Sequence, residues 1–389
     1  MFLNIENDRL LKQNAYETAR EITQQPSTWI KTLAIIKSQQ YEIASFIENI
    51  GTSGSFDIVF MGAGTSEYIG NTLVSIMNPI TKFSSRSVPT TDMVLDPEQY
   101  IQKDRPTLFV SFARSGNSPE SIGAVEAIDV ISNHAYHLFI TCNKDGQLYK
   151  RSINKQRTYS ILLPDETNDL GFAMTSSFSN MLLAAVLVFH LNDLPKLGLD
   201  VMDLAYSIDS TLNEHAEKLQ NIIEAFDFNR IVYLGSQAMK GIAQESVLKV
   251  LELTTGKVAT QFDSFLGFRH GPKSFINDKT LIIAYLSDDE FIRRYEQDLL
   301  FELEKQKKGY RILVVNHKHL KIKCDYQIEL SYHRNHPMIF VAIKMLMVAH
   351  CLSFLKSFDL GITTDNPCPT GEVNRVVTGV TIYPIGDRK

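Results

Sequence analysis

The chain has 389 residues, enough for two ordinary domains with sizeable cores. Its hydrophobic fraction of 44% and charged fraction of 21% are those of a soluble globular protein. Lys and Arg number 39 against 44 Asp and Glu, and the resulting charge of −5 gives no electrostatic reason for nucleic acid or an anionic membrane as partner.

Residues 1–50 read as an N-terminal helical segment. Pro26-Ser27 divides it, and Trp29, Leu33, Ile36 and Ile43 then recur at near-helical spacing. The stretch Met1–Arg9 lacks a signal peptide's order of basic, apolar and small-residue regions. From Asp57 the pattern changes to short apolar runs, Ile58–Met61, Leu108–Phe112, Leu138–Thr141 and Ile161–Leu163, separated by helix-length segments. Such alternation predicts an α/β fold with a doubly wound parallel sheet. The apolar run Met181–Phe189 is far shorter than the ~20 residues of a bilayer span and reads as a buried helix. A polar stretch then leads to Asn229.

There the pattern restarts. Arg230–Ala243 resembles Asp57–Gly70, each reading Ile-Val-aromatic-apolar-Gly-small before a polar helix start, and strands are expected again at Leu281–Leu286 and Ile312–Val315. The repeat predicts two tandem copies of one α/β domain, over 51–198 and 199–389, the second with a C-terminal tail. Thr363–Arg375 is rich in turn formers and is expected at the surface. Cys142, Cys324, Cys351 and Cys368 have no CxxC spacing and read as free thiols of a cytoplasmic protein. The histidines form no HxxxH or HExxH pattern, and His317 and His319 read as exposed loop, so neither a metal nor another cofactor is expected.

Two strand-to-turn sequences carry hydroxyls. They are Gly62-Ala63-Gly64-Thr65-Ser66 and Ser115-Gly116-Asn117-Ser118-Pro119. Unpaired N–H groups at such helix starts, with the helix dipole, favour an anion, and Ser and Thr add donors without charge. A dinucleotide fingerprint needs a glycine where Glu67 stands, and no Gly-Lys-Ser/Thr loop is present. The plain alternative is that Thr65, Ser66 and Ser118 merely cap their helices. Two such loops after neighbouring strands favour one phosphate monoester, hence a sugar phosphate.

A helix is expected from Gln237 to Thr255, closed by Gly256. Glu245, Lys249 and Glu252 share one of its faces. The plain reading is a salt-bridged solvent face, with Glu245–Lys249 worth ~0.3–0.5 kcal/mol. The sharper reading is a cleft in which a partly desolvated Glu252 is a general base. In Gly267-Phe-Arg-His270-Gly271-Pro272-Lys273 the glycines and proline fix an unusual backbone path, and the plain reading of His270 is a buried structural histidine.

Gly62–Ser66, Arg114–Ser118, Glu245–Glu252 and His270-Gly-Pro272 together resemble the sugar isomerase (SIS) domain family, over nearly the whole chain from about residue 50. The wording Met-Gly-Ala-Gly-Thr-Ser-Glu and Ser-Phe-Ala-Arg-Ser-Gly-Asn-Ser-Pro-Glu-Ser is most similar to its galactosamine-6-phosphate deaminase/isomerase group, also called tagatose-6-phosphate ketose/aldose isomerase. The resemblance implies flavodoxin-like SIS domains and a homodimer acting on a phosphorylated amino sugar. Gly64, Thr65, Ser66, Ser115, Asn117 and Ser118 would bind the phosphate end, with Thr175, Lys249 and Arg375 as further substrate contacts. Glu252 would shuttle a proton between C1 and C2, and His270, from the neighbouring subunit in the relatives, would help open the ring. Ala113 departs from a serine of the related synthase loop. Arg375 stands where that synthase has a lysine, so any amine chemistry of the tail is lost. An isomerase that releases no ammonia and a non-catalytic sugar-phosphate sensor remain the other readings of the residues.

Overall fold

The protein is described here by a computed structural model covering residues 1–51, 55–77, 84–317, 319–330, 337–377 and 379–387. Its two compact units do not follow the chain linearly: one holds 27–169, 176–199 and 370–389, the other 1–26, 170–175 and 200–369.

The first of these is built on β1 (Asp57–Gly62), β2 (Ser85–Pro89), β3 (Thr107–Ala113), β4 (Ala135–Thr141) and β5 (Thr158–Leu162), all parallel in the order β2-β1-β3-β4-β5. Every residue of β3 is buried, as a strand covered on both faces must be, and this explains why its run is apolar but for Thr107 and Ser111. The four anticipated runs all fall on strands. β2 was not anticipated: Ser-Arg-Ser-Val-Pro is an edge strand with only two buried positions. The helix Ser176–Phe189 is buried from Ser176 to Val188. Its Ser179 and Asn180 accept hydrogen bonds from Trp29 Nε1 (2.9 Å) and Thr32 Oγ1 (2.7 Å), both from the helix Gln25–Ser38.

The second unit repeats the plan with β6 (Arg230–Gly235), β7 (Ala259–Asp263), β8 (Thr280–Tyr285), β9 (Arg311–Asn316) and β10 (Tyr326–Glu329), all parallel in the order β10-β9-β8-β6-β7. Read from the other edge, that is the order of the first sheet, the flavodoxin-like 2-1-3-4-5. Its two faces are covered by different helices. Val232, Leu234, Ile282, Ala284, Ile312 and Val314 pack on Leu299, Leu300 and Leu303 of the helix Glu290–Gln306, together with Phe265 and Phe268. Tyr233 and Tyr285 alternate to the opposite face, where Tyr285 Oη lies 3.0 Å from Ser246 Oγ of the helix Ala238–Leu253.

Three expectations need correction. The polar stretch before Asn229 is a helix, Leu194–Ala225, whose Leu197, Val201, Leu204, Ile208, Leu212, Ala216 and Leu219 are buried at three- and four-residue spacing. His317 is buried rather than an exposed loop residue, its Nδ1 2.6 Å from Asp288, while His319 is exposed as expected. The tail segment is only partly superficial: Thr364 is buried, and Asp365 accepts from the Glu17 and Thr18 N–H groups at 2.9 and 2.7 Å, capping the helix Tyr16–Thr23. Among the described residues one helix, Met338–Asp359, is long and apolar enough to cross a membrane, with mean hydropathy 2.1, but 94% of that window is buried inside the fold. It is a core helix. All four cysteines are free, and burial pushes Cys142 and Cys351 up to about 12, which makes them inert.

Candidate active site

In the β1–β5 sheet the chain leaves β1 toward one edge and β3 toward the other. The turns after these adjacent strands, in register at Met61 and Ser111, therefore flank the switch point where α/β sheets bind ligands. Gly64 (φ 55°) and Gly116 (φ 65°) adopt left-handed backbone that lets each turn reverse within a few residues. Thr65 and Ser66 open the helix Thr65–Met77 and are nearly fully buried. The N–H groups of Ser66 and Glu67 bond back to the carbonyls of Ala63 and Gly64 at 3.2 and 2.9 Å. These two amides are thus not the outward donors that the turn sequence suggests. Burial raises the half-buried Glu67 carboxyl, against the lowering effect of its bond from Asn71.

The second turn is more rigid. Ser115 Oγ accepts the Asn117 N–H (3.3 Å) and keeps its own proton to donate, while Ser115 O accepts from Asn143 Nδ2 (2.9 Å). Asn117 Oδ1 accepts the Gln147 N–H (3.0 Å), so Asn117 serves the turn's own architecture by capping the helix Gln147–Ser152. Ser118 precedes the helix Pro119–Ile131 but makes no capping bond to its backbone, among the described residues; its hydroxyl donates to Ser121 Oγ at 2.6 Å. The bland capping role is therefore not the one Ser118 plays.

Arg375 is held by this unit's backbone. Its Nε donates to the Asp169 carbonyl (2.7 Å), its Nη2 lies 3.2 Å from Asn168 Oδ1, and its own carbonyl accepts from the buried Arg114 (2.5 Å). Asp169 in turn caps the helix Ser176–Phe189 through the Ser176 and Ser177 N–H groups at 3.1 and 2.9 Å. Arg114 is a residue that sequence reasoning did not single out.

In the other unit, Glu245, Lys249 and Glu252 do share a face of the helix Ala238–Leu253, but it is not a solvent face. Glu245 and Lys249 are fully buried, with Lys249 Nζ 3.4 Å from Glu245 and 2.6 Å from Glu252; only Glu252, with 25% of its side chain exposed, reaches the surface. Burial opposes the Lys249 charge, yet the two carboxylates outweigh it and raise its pKa. On the neighbouring helix Met338–Asp359, the buried His350 is pushed down to about 3 by desolvation and by the Lys249 charge. Thr175 is buried in the same unit, in the segment 170–175. The Leu170 and Gly171 N–H groups of that segment bond to the buried Glu21 carboxylate at 2.5 and 3.1 Å.

His270 is exposed, which overturns the reading of a buried structural histidine. The path around it is as unusual as the sequence suggests: Gly271 has φ 123°, open only to glycine, and Pro272 starts the short 3-10 helix Pro272–Phe275. Among the described residues no group of three or more His, Cys, Asp or Glu is placed to hold a metal ion.

Known proteins bear on this arrangement. A family model described as SIS domain matches residues 54–191. The D-galactosamine-6-phosphate deaminase AgaS of Escherichia coli is 39% identical over 369 residues, which are 94% of this chain and 95% of that protein. A crystal structure from Clostridium novyi NT, of a protein proposed to be a tagatose-6-phosphate ketose/aldose isomerase, is similar with TM-score 0.96 and 41% identity, covering 99% of both chains. The structure of tagatose-6-phosphate ketose/aldose isomerase from Escherichia coli gives TM-score 0.88 and 36% identity over 95% of this chain and 96% of that one.

Proposed function

This chain belongs to the SIS domain family, in its group of AgaS-like deaminases and tagatose-6-phosphate isomerases, and from that premise we propose that it converts galactosamine 6-phosphate to tagatose 6-phosphate and ammonia. The coarser statement, an enzyme of the sugar-phosphate isomerase/deaminase class, rests on identity of 39% along nearly the full length.

The observation that carries the finer reading is the charge line on one helix. Glu252 alone of its triad meets solvent, and it is hydrogen-bonded to a lysine fully out of water. Such a carboxylate is oriented by a fixed donor, as a positioned general base must be. Acting on the open-chain sugar, Glu252 takes the proton from C2 and returns it to C1. The aldehyde with a C2 amine becomes a C2 imine through an enolamine. Water adds to the imine carbon, ammonia leaves, and the 2-ketose phosphate remains. Thr65, Ser66, Ser115 and Ser118 bind the phosphate, with Gly64 and Asn117 shaping their turns. Lys249 acts through Glu252, and Thr175 and Arg375 serve the substrate through the segments they hold.

His270 opens the ring, and we assign it to the site of a second copy in a cytoplasmic homodimer. In support, the helix of Glu252 covers the Tyr233 and Tyr285 face of its sheet, whereas the His270 loop is tied by Arg269 and Lys273 to Glu302 of a helix on the opposite face.

The test is turnover of galactosamine 6-phosphate, glucosamine 6-phosphate and tagatose 6-phosphate by purified protein, reading ammonia and ketose. Ammonia with tagatose 6-phosphate from the first sugar is expected. Interconversion of tagatose 6-phosphate with its aldose, and no ammonia from either amino sugar, would replace deamination by plain isomerisation.

A further inference from the structure

His270 needs something to aim it. The imidazole is exposed and, among the described residues, no hydrogen bond or ion pair holds it; the backbone contributes only the His270 N–H to Gly267 O bond at 2.9 Å. Its successor, Gly271 at φ 123°, has nothing within 4 Å of a would-be Cβ, and its carbonyl accepts the Ser274 N–H at 2.9 Å, a bond that leaves the imidazole itself unheld. The loop is instead gripped on both sides of the histidine. Arg269 Nε lies 2.9 Å from one oxygen of Glu302, and Lys273 Nζ bonds to the other.

Glu302 itself stands on a rigid element. Its helix, Glu290–Gln306, is locked into the core by Leu299, Leu300 and Leu303, and Asp289 caps its start through the Phe291 and Ile292 N–H groups at 2.9 and 3.0 Å. The three charged side chains are each 25–32% exposed. Pairs this wet contribute little to folding. A carboxylate that spends each oxygen on a different end of the five-residue segment Arg269–Lys273 defines a geometry more than a stability. Lys273 first, then Arg269, hold the Glu302 carboxyl below its usual range, so the clamp is charged near neutral pH.

We propose that Glu302 is a positioning residue for His270, bridging Arg269 and Lys273 so that the loop presents the imidazole in one orientation. The inference rests on the ring-opening role given to His270 above. A misplacement of about 1 Å at a reacting group costs on the order of a hundredfold in rate. The expected consequence of releasing the loop is therefore a fall in kcat of roughly ten- to a hundredfold, with KM nearly unchanged.

The experiment is a cycle of Glu302→Gln, His270→Asn and the double variant, assayed as full-length protein on galactosamine 6-phosphate with thermal unfolding as the folding control. Arg269→Gln with Lys273→Gln removes the same clamp from the loop side. If Glu302 acts through His270, both clamp variants lose kcat and the double variant is no slower than His270→Asn alone. Losses that multiply, or a clamp variant at the wild-type rate beside a slow His270→Asn, overturn the positioning role alone. His270→Asn at the wild-type rate overturns the role given to His270, and this inference with it.

Discussion

Lys249 Nζ lies 2.6 Å from the Glu252 carboxylate, with the lysine completely removed from solvent and the glutamate one-quarter exposed. Behind the lysine, Glu245 is buried at 3.4 Å. A lysine between two carboxylates is therefore both the counter-charge of a buried acid and the fixed partner of a surface one. Lys249→Met separates these roles from chemistry. It leaves Glu245 buried without its cation, which typically costs about 3–5 kcal/mol, measurable by urea unfolding at neutral pH. Because folding raises the Lys249 pKa, its contribution is fully present below the unfolded value and is lost as pH rises through the higher folded value. The variant should therefore differ least from wild type at strongly alkaline pH.

Glu252→Gln is expected to behave in the opposite way. The amide keeps a hydrogen bond from Lys249 and the side chain is partly exposed, so stability should change little. A positioned base contributes roughly 10²–10⁴ in rate, and kcat should fall by at least the lower figure while KM holds. Exchange of the C2 hydrogen with deuterated solvent should slow in parallel. Exchange at the wild-type rate in this variant would move the proton transfer to another residue.

His350 predicts the acid limb of stability. Desolvation and Lys249 push it down to about 3, whereas an unfolded histidine titrates near 6.5. The unfolded chain binds a proton that the folded chain refuses. Stability is thus present above pH ~6.5 and drains as pH falls toward 3, by up to about 1.4 kcal/mol per pH unit from this one group. His215, lowered to about 4 mainly by burial, acts in the same direction. Urea unfolding between pH 7 and 4.5 should show a shallower slope for His350→Asn than for wild type. Equal slopes would mean that His350 is not neutral in the folded protein.

What the chain disclosed of itself followed from locality. β1, β3 and β8 are largely apolar runs because both faces are covered, and the turns at Gly64 and Gly116 announce themselves by residue type. The strands that went unread, β2, β7 and β10, are sheet edges that bury two positions, none and one. The helix Leu194–Ala225 had a readable apolar stripe that its many polar residues masked. The supports of the site were invisible for a different reason. Glu302 meets Arg269 across 33 residues and Glu21 meets Gly171 across 150, and no spacing rule links positions that only the fold brings together.

The phosphate turns supply the remaining test, and Ser115 is its sharpest point. Its hydroxyl already accepts the Asn117 N–H, so its proton is what it offers a ligand. A hydrogen bond to a charged group contributes about 1.5–3 kcal/mol, and one lost bond corresponds to a ten- to hundredfold weaker site. Ser115→Ala should raise KM for the sugar phosphate, and the inhibition constant for inorganic phosphate, by that factor together. The turn should survive, because Asn143 holds the Ser115 carbonyl and Gln147 holds the Asn117 amide oxygen. Weaker sugar binding with unchanged phosphate inhibition would place the phosphate elsewhere and reassign the β3 turn to the sugar's hydroxyls.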